Sequence, residues 1–146
     1  MYFPDLATYT YWPDNGVRPE MLAVGWLEPP HPIPTGTVPD VFIAQLGKLC
    51  IEPVAATRGY HDCPFPPCVD SNESATDADI DGTPVFLGHA EIWVRSPSDT
   101  WYAAPTMIYH YITEHRYRPP DEFIDAVLSG HAADKTDERR FMSAPP

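Results

Sequence analysis

The chain has 146 residues with 43% hydrophobic content, enough to bury one core, and its 19 prolines predict many loops and short elements. A formal charge of −12, from 21 Asp and Glu against 9 Lys and Arg, offers no basic footprint for phosphate and argues against nucleic-acid binding. No basic-then-apolar leader opens the chain, and the longest apolar run, Met21 to Leu27, is too short to cross a bilayer. A soluble cytoplasmic protein with no membrane association is expected.

Residues 2–20 read as an aromatic, irregular opening segment that turns at Asp14-Asn15-Gly16. Met21 to Leu27 is a short strand candidate. Thr37-Val38-Pro39-Asp40 gives a helix start, with Thr37 as the cap, and Phe42, Leu46, Leu49 and Cys50 recur at helical spacing. Cys50 therefore reads as a small buried hydrophobe. Residues 53–83 read as loop, acidic from 69 onward.

Pro84 to Arg95 is the strongest strand pattern. Phe86, Ala90, Ile92 and Val94 are expected to face the core, and Leu87, His89, Glu91, Trp93 and Arg95 to be more exposed. Trp101-Tyr102-Ala103 returns as its partner after the turn at Ser96-Pro97-Ser98-Asp99. Pro105 opens a helix to about His115, whose apolar stripe is Met107, Ile108, Tyr111, Ile112 and His115, with His110 well off its centre. Pro119-Pro120-Asp121-Glu122 opens a last helix that ends at Gly130. The expected fold is α+β: one domain over 1–130, a small antiparallel sheet with about three short helices, and a flexible tail over 131–146.

Reactive groups concentrate in Gly59-Tyr60-His61-Asp62-Cys63-Pro64-Phe65-Pro66-Pro67-Cys68. Zinc takes about four thiolate and imidazole ligands in a tetrahedron, and two cysteines with four residues between them suit a ligand pair. The prolines lower the entropy lost in fixing the loop. His61 is close enough to ligate, though its proximity to Cys63 strains a single tetrahedron. A fourth ligand must come from elsewhere: His110, off its helix's stripe, is the first candidate and His89 the second. The competing reading is a surface loop with two free thiols.

Cys63 with His61 as nucleophile and base is the rival chemistry. Asp62 disfavours a thiolate, and no glycine turn supplies oxyanion donors. Asp77-x-Asp79-x-Asp81-Gly82 imitates half a calcium loop, but Gly88 stands where a bidentate glutamate is needed. Asp5, Glu91 and Arg118 read as structural or surface charges before catalytic ones.

Several segments together resemble a family of small uncharacterised bacterial proteins, a domain of unknown function. They are Tyr2-Phe3-Pro4-Asp5-Leu6, Val24-Gly25-Trp26-Leu27, Thr57-Arg58-Gly59-Tyr60-His61-x-Cys63, Leu87-Gly88-x-Ala90-Glu91-Ile92, Tyr102-Ala103-Ala104-Pro105, Ile108-Tyr109-His110-Tyr111 and Tyr117-x-Pro119-Pro120-x-x-Phe123. The resemblance spans most of residues 2–128 and carries no established activity. It implies a histidine, a closer cysteine pair and a helical histidine as a ligand set, which fall here on His61, Cys63, Cys68 and His110. This chain departs by placing four residues between its cysteines and by its acidic 70–82 stretch.

The leading expectation is a structural zinc site in an interaction or regulatory module with a protein partner. The alternatives are a metal- or thiol-dependent enzyme on the same cluster, and a metal-free acidic protein of immunity or inhibitor type.

Overall fold

The computed structural model describes residues 1–58, 61–70 and 77–143. Gly59 and Tyr60 of the cysteine-loop motif, residues 71–76 of the expected acidic loop and the last three residues lie outside that description.

The described elements are β1 (Met21–Ala23), α1 (Asp40–Ile51), β2 (Asp77–Ile80), β3 (Thr83–Phe86), β4 (Glu91–Arg95) and β5 (Trp101–Pro105). They continue with α2 (Ile108–His115), α3 (Asp121–Ser129), β6 (His131–Ala132) and α4 (Lys135–Phe141). The class is α+β, as expected. The main sheet runs β1-β5-β4-β6 and is mixed rather than wholly antiparallel, because β1 pairs parallel to β5 with Met21 opposite Trp101. Strand β4 is antiparallel to both neighbours, with Trp93 opposite Ala103 and Val94 opposite Ala132.

The sheet is buried on both faces. Ile92, Val94, Tyr102 and Ala104 point into the larger core, where they join Phe42 and Leu46 of α1, Ile108 of α2 and Phe123 of α3. Trp93, Trp101 and Ala103 point the other way and pack with Met21, Val54 and Phe141. Alternation along β4 therefore separates two apolar layers rather than core from solvent. Glu91 and Trp93, expected to be exposed, are 5% and 1% exposed.

The single strand expected over 84–95 is two strands. Strand β3 ends at Phe86, which is exposed, whereas Leu87 is buried; residues 87–90 then turn before β4 begins. The reason lies at Asp81-Gly82, read from sequence as part of a loop. Both residues adopt positive φ (51° and 80°), the conformation a two-residue hairpin requires, and β2 pairs antiparallel to β3 across them. The carboxylates of Asp77 and Asp79 stay outside while Ile80 is buried against α1, so the stretch is a hairpin and not a calcium loop.

Helix α1 starts one residue after Pro39 with no side-chain cap, so Thr37 does not cap it. The stretch expected as a flexible tail carries β6 and α4. Asp134 and Asp137 form a reciprocal capping box, Ala133 N–H donates to Trp93 O at 2.8 Å, and Phe141 is buried edge-on to Trp101. One aromatic and one capping box dock a segment whose low apolar content reads as fraying. The opening segment covers the same region, and Asn15 Nδ2 donates to Phe141 O at 2.7 Å.

A candidate Cys2His2 metal centre

The loop carrying the cysteines is fastened before any metal is considered. His61 N–H donates to Gly88 O at 2.8 Å and ties the loop's start to the β3–β4 connection. Val69 N–H donates to Phe65 O at 3.1 Å and Asp70 N–H to Pro67 O at 3.2 Å, closing a tight turn at Cys68. Between them, the buried Phe65 ring stands edge-on to Tyr111 of α2, with centroids 5.7 Å apart. The loop is thereby laid along α2 with both sulfurs turned towards it.

Helix α2 supplies two histidines. His110 and His115 are five residues apart, about 140° around a regular helix axis. Cys68 Sγ nevertheless lies 3.6 Å from both their Nε2 atoms, and Cys63 Sγ lies 3.3 Å from His115 Nε2. All four potential ligand atoms fall within 4.8 Å of one another. Cys63 and His110 are buried; Cys68 and His115 are half-buried.

Burial pushes the Cys63 thiol up to about 11, with the Cys68 sulfur adding to the effect, so without a bound cation it is a protonated thiol at neutral pH. The shift runs against an activated nucleophile. Burial lowers the His110 pKa, and the neighbouring His115 lowers it further, so the imidazole is held neutral as a ligand must be. Cys50 is separate: it is buried at the end of α1, 3.8 Å from Thr106 O, with its thiol raised to about 12 by burial.

Of the residues singled out from sequence, Cys63, Cys68 and His110 converge. His61 is exposed and outside the group, and His89 also lies outside it. The residue missed is His115, assigned by helical periodicity to the apolar stripe. Paired spacing could have found it, since Cys63-x4-Cys68 and His110-x4-His115 together fit the C-x2–4-C, H-x3–5-H pattern of zinc ligands.

The other charged candidates have structural partners. Asp5 accepts from Gly25 N–H at 3.0 Å and from Tyr117 Oη–H at 2.9 Å, pinning the opening segment to the chain after α2. Gly25 needs its φ of 80° there, and a Cβ would lie 2.9 Å from Ile108. Glu91 accepts from the indoles of Trp12 (2.9 Å) and Trp93 (3.0 Å). Arg118 pairs with Asp121 at the surface.

Fold and site together define a small α+β domain with a two-cysteine, two-histidine cluster. Residues 1–128 match the family described as a domain of unknown function (DUF7919), and the chain belongs to that family. No curated protein and no solved structure matches the chain. Among the described residues no helix is long and apolar enough to cross a membrane.

Proposed function

We propose that this domain holds one structural zinc ion through Cys63, Cys68, His110 and His115, and serves as an interaction or regulatory module. The observation that carries the proposal is the distance set. Zinc–sulfur and zinc–nitrogen bonds of ~2.3 and ~2.05 Å imply tetrahedral ligand–ligand edges of roughly 3.4–3.8 Å. Two of the sulfur–nitrogen separations, both 3.6 Å, fall within that range before any ion is added, and a third, 3.3 Å, lies just below it.

The donor chemistry agrees with the spacing. Two thiolates and two neutral imidazoles are the soft and borderline set that favours zinc, and the thiolates cancel the ion's charge, so a neutral unit is buried. Four protein ligands complete a tetrahedron and leave no position for water or substrate, which favours a structural over a catalytic role. The ion would clamp the proline-rich loop to α2, leaving the acidic surface to meet a partner. A reducing cytoplasm would keep both thiols available for the metal.

The test is metal content and its effect on melting. Protein purified under reducing conditions should carry about one zinc per chain. Cobalt substitution should give the intense visible bands of a tetrahedral site with thiolate charge transfer, unchanged by added anions. Zinc held at about 1,000 times its Kd adds about 4 kcal/mol, so a strong chelator should lower Tm by on the order of 10 °C. Absence of stoichiometric metal, with melting unchanged in chelator, would sink the reading.

A further inference from the structure

Beside the cluster, the sheet and the cysteine loop line a cavity of about 180 Å³, open to solvent along the exposed Glu28, His61 and Asp62, that the metal reading does not use. A cavity of about 150 Å³ accepts a benzene molecule, so this one has room for a single ring with a short substituent. Its walls include the aromatic side chains of Trp26, Tyr11 and Tyr111. Three carboxylates also line it: Glu28, Asp62 and Glu91.

The charge in this cavity is one-sided. Among the described lining residues none is Lys or Arg, and the single cation is the amino group of Met1 at the rim, 3.4 Å from Glu28. Asp62 makes no ion pair among the described residues. Glu91 is 95% buried; two indole N–H groups donate to it and the Tyr9 hydroxyl also faces it, which still leaves part of its four-site acceptor capacity open. The cation whose field reaches Glu91 is Arg18, which does not line the cavity and donates to Pro13 O at 2.9 Å. Two histidines, His61 and His89, also line the cavity, and the His89 Nδ1 is buried with no hydrogen-bond partner among the described residues.

We infer that this cavity binds a small organic cation, a primary ammonium on a body about the size of one aromatic ring. The ring would lie among the aromatic walls, and the ammonium would supply the positive charge that Asp62 and Glu91 lack. The inference stands on the cavity and its charge, and does not depend on whether the cluster holds zinc.

The test is a matched series of probes titrated calorimetrically into the full-length protein at pH 7: benzylamine, benzyl alcohol and benzoate. Benzylamine should saturate with one site per chain, benzyl alcohol should bind at least about tenfold more weakly, and benzoate should give no saturable heat. The indole N–H resonances of Trp12 and Trp93, both bonded to Glu91, should move with benzylamine, while that of Trp101, which neither lines the cavity nor bonds to Glu91, should not. Asp62→Asn, at an exposed position, should weaken benzylamine several-fold and leave benzyl alcohol unchanged. Glu91→Gln should weaken it further where that variant folds. Equal affinity for the three probes, no saturation by benzylamine up to about 10 mM, or an Asp62→Asn variant with unaltered affinity would each overturn the inference.

Discussion

His115 sits at the last position of α2, where Arg116 turns the chain with a φ of 59°. That terminal place lets its imidazole reach Cys63 and Cys68 from the end of the helix, while His110 approaches from within it. The two sulfurs and two rings form one group, and removing any member leaves three ligands. His115→Asn should therefore lower zinc affinity by at least about 100-fold and reduce Tm by several degrees, whereas His61→Asn should leave metal content at one per chain. The pair is checked by zinc titration against a competing chelator. Loss of metal in the His61 variant with retention in the His115 variant would reverse the ligand assignment. Cys63, Cys68 and His110 were legible because reactive side chains in a stiff loop stand out against its composition. His115 was not, because periodicity assigns a residue to a face and says nothing about what an end-of-helix side chain reaches. Glu91 was misplaced for a related reason: alternation marks it as outward, and only Trp12, 79 residues away, shows that outward is also inside.

Among the elements, α4 and β6 have a role out of proportion to their length. Phe141 closes over Trp93 and Trp101, Lys135 Nζ donates to Pro53 O at 2.9 Å, and the Glu138 carboxylate accepts from Ala55 N–H. A chain shortened to end at Ser129 would strip the edge of β4 and bare two indoles. It should lose roughly 3–5 kcal/mol, in the range of a deleted core aromatic, and bind a hydrophobic dye; a urea transition at the full-length midpoint would contradict this. Helices α1 to α3 were readable because each has several apolar residues at helical spacing, and α1 and α3 directly follow a proline; Pro105, expected to open α2, is instead the last residue of β5, and α2 begins at Ile108. The β2–β3 hairpin was readable in principle from Asp81-Gly82, but its acidic strands resemble a solvated loop until α1 is there to bury Ile80. Helix α4 has a capping box and one buried aromatic, too little for a pattern.

At the scale of the whole molecule, pH acts on the fold through groups that change protonation on burial. Burial raises the Glu91 carboxyl above its ordinary 4.5, against the lowering pull of hydrogen bonds from Trp93, Tyr9 and Trp12 and of Arg18. The folded state then holds this proton more tightly than the unfolded chain, so the stabilisation is complete below about pH 4.5 and is lost as pH rises through the raised folded value. Asp137 acts in the opposite sense. Burial would raise it, but hydrogen bonds from His131 and from Asp134 N–H outweigh that, so its stabilisation is present above the ordinary value of 3.8 and fades on acidification. Glu91→Gln should flatten the fall in stability as pH rises above the ordinary carboxyl value of 4.5, relative to the parent chain and measured by denaturant midpoints; parallel profiles for the two proteins would contradict it.

The meeting of Asn15 with Phe141 spans 126 residues of chain. Such a contact carries the loop-closure entropy of nearly the whole molecule, while the α2–β5 side of the sheet joins neighbours in sequence. The tryptophan layer is therefore sealed by the two ends of the protein, and its closure depends on their meeting.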